Sequence, residues 1–571
     1  MRNKILLLLL CEIAAIGVSL ALSSAAMAAP EIVLPGPADV GRMKPQENVT
    51  PPDHSKDQQI TVPEAPVRNV SEPAGANAIF FTLKAVNIEG MTAFTPRQMA
   101  DIYAPFIGKE VPLDIAWIVA ESITDRYHAA GYFLSRAYVP QQSIQEGAIT
   151  IRVLEGYVGR VNLPSNAGTY RVVQEYIGLL VSQKPVTSDA VERFLLSLND
   201  LPGYSFRAVL APIEDKNEND PAVELVMEAA TKDNRGSVSF DNFSSRYLGP
   251  NEFTASYSAS VLPLQQTTVT GLSAMPADKL RYGTIDHTVA IAPDTSLEVT
   301  GGVTKAYPGY TLEPEEIDSL ARSETLGLNY QWIRQRDENL SLKAIFDSED
   351  ISSDVLDTPL MRDHIRALRA IATYDTSDAW HGNNIAMVTV SHGLDDFGAS
   401  QKDDADLSRA GAIPDFTKAN LSLSRLQGID DEWSLYMAST GQWTSNILYS
   451  SEEFGYGGQA FGRAYDTSTI TGDKGVAGSL EMRYSGLSSW DPAINPQPYA
   501  FYDIGKVWSE AVGQPGKLGS SAGFGFRFTT PWHQTGNIGL AWPISRDNTP
   551  PIYGEGDHHP RLLLQVTQEF K

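Results

Sequence analysis

The sequence predicts two small β-α-α-β-β modules in series, followed by an antiparallel membrane β-barrel of about 16 strands. Three observations carry that expectation. The chain opens with an export signal, and its residues 231–571 alternate apolar and polar side chains with no run long enough for a membrane helix. Its last eleven residues, Arg561 to Lys571, read as an amphipathic strand that ends almost on an aromatic.

The signal is a basic start, Arg2 and Lys4, then an apolar run from Ile5 to Leu22 and a small-x-small site at Ala26-Met27-Ala28. Residues 1–28 are therefore expected to be removed on export. Cys11, the only cysteine of the chain, lies inside this segment. The mature protein then has no thiol, which excludes disulfides, cysteine-ligated metals and thiol nucleophiles. The formal charge is −25, and loss of Arg2, Lys4 and Glu12 leaves 42 basic and 68 acidic residues, or −26. Such a surface repels phosphate backbones, so nucleic acid is not an expected partner.

Residues 29–78 read as a proline-rich leader, with prolines at 30, 35, 37, 45, 51, 52, 63, 66 and 73 and no helical period. The first module spans residues 79–156. Alternation up to Ile88 suggests a strand, Thr95-Pro96-Arg97-Gln98 is a capping box with proline at the first helical position, and a helix after Pro112 carries Ile115, Ile118, Val119, Ile123 and Tyr127. Strands over Tyr132–Val139 and Ala148–Leu154 complete it. The second module, 157–230, repeats the order: a strand over Val158–Leu163, helices carrying Val173, Tyr176, Ile177 and Leu180 and then Val191, Phe194, Leu195 and Leu198, and strands over Tyr204–Leu210 and Ala222–Ala229. One order used twice implies duplication.

From 231 to 571 the texture changes to short alternating segments, such as Leu326, Leu328, Tyr330 and Trp332, or Phe524, Phe526 and Phe528. At about 20 residues per strand and connection, 341 residues make roughly 16 strands, enough for an aqueous lumen. In the last strand Leu562, Leu564, Val566 and Phe570 share one face, with Arg561, Gln565, Thr567 and Glu569 on the other, where Leu563 is the exception. A large soluble sandwich or propeller is the competing architecture.

No catalytic constellation stands out. His558-His559 on a strand would point to opposite faces and has no third ligand at a usable spacing, so a solvated loop is expected and no metal, cofactor or nucleotide site is assigned. The informative motifs are Phe461-Gly462-Arg463-Ala464-Tyr465 and Phe501-Tyr502-Asp503-Ile504-Gly505. Phe501, Asp503 and Gly505 share one strand face, and an acid there suits a wet lumen and not lipid. A loop folded into the pore could bring Arg463 to Asp503 as a bidentate pair; on the residues alone, each could equally have other neighbours.

The stretch from Gly131 to Gln142, running on to Gly147 and Leu154-Glu155-Gly156, resembles the first polypeptide-transport-associated (POTRA) domain of haemolysin-activator-type two-partner secretion transporters. Leu198 to Gly203 resembles the matching segment of their second POTRA domain, and the arginine loop tip and Phe-x-Asp-x-Gly strand are also family motifs. The resemblance implies a pore in the outer membrane of a Gram-negative bacterium, with two POTRA-like domains in the periplasm. It would secrete a large haemolysin- or adhesin-like exoprotein without nucleotide hydrolysis and would not be an enzyme. A barrel-assembly insertase is the alternative. Implied site residues are Phe461, Gly462, Arg463 and Tyr465 in the lumenal loop, their strand partners Phe501, Asp503 and Gly505, and Phe570 as the signal read by the assembly machinery. Outer-membrane lipid is the remaining partner.

Three details depart from the family pattern. Ala464 stands where glycine is commonest, and would strain a positive-φ turn by about 1 kcal/mol or more. Lys571 follows the terminal aromatic. Leu34-Pro35-Gly36 with Asp39 and Arg42 resembles the start of the family's plug helix, yet no amphipathic period follows, so any plug is expected to be short or absent.

Overall fold

The computed structural model describes residues 34–43, 73–144, 146–163, 166–213, 220–489, 494–545 and 559–571. The signal segment 1–28, most of the leader and His558 lie outside them. Gly36–Ala38 and Val40–Arg42 form two single 3-10 turns. Ala38, Asp39 and Val40 are almost fully buried, against Ile351 and Ser450 among others. This part of the leader is therefore packed into the fold.

The first module contains β1 (Phe80–Thr82), β2 (Ala85–Glu89), α1 (Pro96–Tyr103), β3 (Glu110–Pro112), α2 (Ile115–Ala129), β4 (Arg136–Tyr138) and β5 (Ala148–Leu154). The predicted capping box closes α1: Thr95 N–H donates to Gln98 Oε1 at 2.9 Å. β2 and β5 pair in parallel and β4 joins antiparallel, giving the order β2-β5-β4, while β1 and β3 make a separate ribbon. Ile149, Ile151 and Val153 face Ile115, Val119, Ile123 and Tyr127 in one core.

Two expectations change here. Ile118 is 50% exposed, because steps of four residues advance the apolar stripe by about 40° each whereas Ile118 trails Ile115 by about 60°. The strand expected over 132–139 shrinks to Arg136–Tyr138, since Gly131 (φ 85°) and the Ser135 N–H to Tyr132 C=O bond at 2.9 Å turn the chain first.

The second module has β6 (Tyr157–Asn162), α3 (Arg171–Val181), α4 (Ser188–Asp200), β7 (Tyr204–Pro212) and β8 (Ala222–Thr231). Its sheet order β6-β8-β7, with β6 and β8 parallel, reproduces the first module's topology.

Sixteen strands then form a closed antiparallel barrel. They run β9 (Arg235–Asp241), β10 (Asn251–Ala259), β11 (Gln265–Met275), β12 (Leu280–Ala292), β13 (Thr295–Ala306), β14 (Ile317–Arg334), β15 (Glu338–Val355), β16 (Thr358–Ser377), β17 (Gly382–Gly393), β18 (Thr417–Gly428) and β19 (Trp433–Thr444). After a hairpin of β20 (Phe454–Tyr456) and β21 (Ile470–Gly472), the barrel resumes with β22 (Lys474–Tyr484), β23 (Gln497–Trp508), β24 (Lys517–Thr529), β25 (Gln534–Pro543) and β26 (Arg561–Phe570). Closure leaves no edge, and β26 pairs with β9 from Gln565↔Asp241 to Phe570↔Gly236.

The alternation sorts as expected. Leu326, Leu328, Tyr330 and Trp332 are exposed on the outer face of β14, as are Leu562, Val566 and Phe570 on β26. Gly236 makes room for the Phe570 ring, which a Cβ there would overlap. Leu563, the apolar exception, is fully buried in the cluster around the internal loop. No described helix is long and apolar enough to cross a membrane.

The second module is bound to the barrel turns on its side. Arg334 makes a two-point contact with Asp200, and the turn residue Asp294 accepts from Arg193 Nη2 at 2.8 Å and from Ser197 Oγ at 2.9 Å.

Candidate functional site: an arginine loop tip inside the barrel

The connection between β19 and β22 folds inward. Its core is aromatic: Tyr456, Tyr465 and Ala464 are buried with Phe501, Tyr499 and Leu563, and Phe461 packs against them. Burial on the barrel's inner face makes partners for the charged groups of this loop the costly ones to lose.

Arg463 is the pivot, with only 8% of its side chain accessible. Nε donates to Asp503 Oδ2 at 3.0 Å and Nη2 to Asp503 Oδ1 at 2.8 Å, the two-point contact that a planar guanidinium and a carboxylate favour. The Gly462 and Arg463 backbone N–H groups donate to the same Oδ2 at 3.2 and 3.1 Å. Ser479 and Ser521 complete the carboxylate's shell. The guanidinium stacks on the Phe501 ring, 3.5 Å from its centroid. Nη1 donates to Glu481 and Nη2 also reaches Ser479 Oγ at 3.0 Å.

Strand periodicity explains the rest of the motif. Tyr499, Phe501, Asp503 and Gly505 alternate inward on β23 while Tyr502 and Ile504 face out. Phe501 supplies the stacking face and Asp503 the charge. Gly505 supplies space, because a Cβ there would overlap the Tyr456 ring. Gly462 takes the one positive φ of the loop tip, 79°, and Ala464 does not need one. The strain anticipated at Ala464 therefore does not arise, and its small side chain is fully buried instead. The Tyr465 hydroxyl donates to Ser520 C=O at 2.9 Å, and its own carbonyl accepts from Arg561.

Several residues of this region carry no motif that would have flagged them. Glu481, on β22, meets Arg463, Arg483 and Arg527. Asp473 is fully buried and bound by Arg409, and it accepts from the Leu448 and Glu510 N–H groups at 2.8 and 2.7 Å. Arg369 bridges Asp347 and Glu452. The buried turns of the leader are held in the same network: Ser450 Oγ donates to Asp39 Oδ2 at 2.6 Å, Arg42 pairs with Glu453 at 3.2 Å, and Ser245 donates to the Pro37 carbonyl. Phe570 stands apart from this site, on the outer face of the closing strand. No group of three or more histidine, cysteine or acidic side chains among the described residues could hold a metal ion.

Comparison with known proteins agrees with this architecture. Residues 310–528 match the family described as haemolysin secretion/activation protein ShlB/FhaC/HecB, and residues 81–156 match the ShlB-type POTRA domain. The heme/hemopexin transporter protein HuxB of Haemophilus influenzae (strain 86-028NP) is 23% identical over 470 residues, covering 79% of this chain and 81% of that protein. The outer membrane transporter CdiB of Escherichia coli is 21% identical over 517 residues, 84% of each chain. The solved structure of CdiB from Escherichia coli superposes with a TM-score of 0.70 at 18% identity, covering 89% of this chain and 94% of that one. The chain thus belongs to the ShlB/FhaC-type family of two-partner secretion transporters of the outer membrane.

Proposed function

We propose that this outer-membrane transporter exports one large haemolysin- or adhesin-like exoprotein, and that the loop carrying Phe461, Gly462, Arg463 and Tyr465 sets the conducting state of its pore. The buried two-point contact of Arg463 with Asp503 is the observation that carries the loop's role. It gives an internal loop one seat on a wall that would otherwise be a smooth polar lumen. In this reading residues 1–28 are the export signal, 29–78 the leader, 79–156 and 157–230 the two periplasmic modules and 231–571 the pore. Phe570 is the mark read by the assembly machinery, and it is accessible on the lipid side.

The modules would take the unfolded client by strand addition to a sheet edge; β7 and β2 end their three-stranded sheets. Export without nucleotide would draw on the client's folding outside the cell. Comparing surface and outer-membrane proteins of a deletion strain with its parent tests the reading. Loss of one large exoprotein is expected, whereas general depletion of barrel proteins would point to an insertase instead.

A further inference from the structure

Beneath the loop tip, toward the barrel end where the modules attach, lies a cavity of about 740 Å³. Its described lining holds three arginines, Arg463, Arg483 and Arg527, against two acids, Glu453 and Glu481. Glu453 is already paired with Arg42 and Arg409 outside this face. Glu481 meets all three guanidiniums, with Arg483 Nε at 2.8 Å and Arg527 Nη1 at 2.7 Å from Oε1. Asp503 balances one of them and is fully buried behind Arg463. Three cations thus share two carboxylates, and the surplus lies in a chain whose overall formal charge is −25.

The surplus is presented to the open side. Arg527 keeps 34% of its side chain accessible, although its Nη1 is turned inward onto Glu481. Arg483 and Arg527 lie over the Tyr436 and Tyr499 rings, 4.6 and 4.4 Å from their centroids. Stacking of this kind fixes the direction in which a guanidinium's remaining donors point. Asn420, Asn537, Gln565 and Thr567 line the same cavity and offer neutral hydrogen-bonding groups. A fixed fork of donors selects carboxylates, and the amides beside it suit a peptide backbone.

We propose that Arg483 and Arg527 form an entry subsite for acidic side chains of an unfolded polypeptide passing beneath the loop. The proposal rests on the transport reading, in that a chain must enter from the module side. It adds a chemical preference: the client is expected to present Asp- or Glu-bearing segments to this wall.

The test is block of ion current through the full chain in a planar bilayer, with peptide added on the module side. A hexaglutamate peptide should block at lower concentration than hexalysine, and Arg527→Gln should raise the half-blocking concentration about fivefold, the effect of a partly exposed ion pair. Arg527→Lys should recover part of the loss. Unitary conductance and heat-modifiable migration show that each variant is an inserted barrel. Equal block of parent and Arg527→Gln, or equal block by the two peptides, would overturn the subsite. Block by inorganic phosphate at the peptide's concentration would overturn a polypeptide occupant. Since block is read without a client, an unaltered secretome in the deletion strain would refute export while leaving this measurement standing.

Discussion

Tyr176 of α3 and Asp294 in the β12–β13 turn exchange hydrogen bonds in both directions: the Asp294 N–H donates to the tyrosine oxygen at 2.6 Å, and the hydroxyl donates to Asp294 Oδ1 at 3.0 Å. Asp294 holds φ at 55°, so the turn is shaped to present its carboxylate to the second module. Asp294→Ala removes acceptors for Tyr176, Ser197 and Arg193, which at about 1 kcal/mol per hydrogen bond weakens docking by roughly 2–3 kcal/mol. With no cysteine in residues 29–571, a spin-label pair can be placed at will, one on the module and one on the barrel. Pulsed-EPR distances should broaden in the variant and stay narrow in the parent.

Arg463→Lys should behave nearly as badly as Arg463→Ala. A lysine keeps the charge but cannot address both Asp503 oxygens, Glu481 and Ser479 from one planar group. Removing one partner of a buried pair costs about 3–5 kcal/mol, enough to unseat the loop. Exoprotein in the culture medium should fall at least tenfold in both variants, roughly the weight of 1.4 kcal/mol, while heat-modifiable barrel persists. Normal export by Arg463→Lys would show that the fork geometry is dispensable.

Gly505 tests packing without touching charge. Alanine at this position puts a methyl group into the Tyr456 ring, and Gly519 closes off the same ring from the next strand. The loop must shift by more than a side-chain rotation, at a cost of about 1–3 kcal/mol. Unitary conductance should become noisier and higher in Gly505→Ala and stay unchanged in Gly271→Ala, where a Cβ meets nothing within 4 Å.

Glu155 carries a pH dependence in the first module, outside the membrane. Burial pushes its carboxyl up, but the Ala93 and Thr92 N–H groups and the Thr92 and Tyr127 hydroxyls donate to it and hold it below the ordinary 4.5. A depressed acid stabilises the folded state above its ordinary value and loses that contribution as pH falls through the folded one. Hydrogen-exchange protection factors over residues 79–156 should therefore fall below about pH 4.5. In Glu155→Gln that fall should flatten, and protection at pH 7 should already be lower.

How much of this was legible follows from what each signal encodes. Period-two alternation places Leu326 outward and Asp503 inward, and a capping box announces α1, because those are local properties of backbone geometry. Arg463 and Asp503 are forty residues apart, and only family motifs singled out that pairing from many inward acids. Glu481 is also inward on β22, but alternation does not say which residue lies across a lumen. Tyr176 and Asp294, 118 residues apart, meet only once the module docks. Ile118 failed for the opposite reason: it is apolar at helical spacing, yet a stripe four residues in step turns away from it.

The leader offers the remaining prediction. Leu34 to Arg42 shows no amphipathic period, and none is required: Gly36 to Arg42 forms two single 3-10 turns held by particular polar contacts together with burial of Pro37, Ala38 and Val40. Arg42 donates to the Ser450 and Glu453 carbonyls and pairs with the Glu453 carboxylate, while Asp39 accepts from Ser450 and from the Gly41 N–H. Arg42→Ala leaves Glu453 with Arg409 as a cationic neighbour and frees two carbonyls, costing roughly 2–4 kcal/mol of seating. If these contacts hold the turns in the barrel, the variant should raise the fraction of time the pore spends in its larger conductance and expose residues 36–42 to added protease. Unchanged open probability together with unchanged protection would mean that apolar burial of Ala38 and Val40 suffices to keep the segment in place.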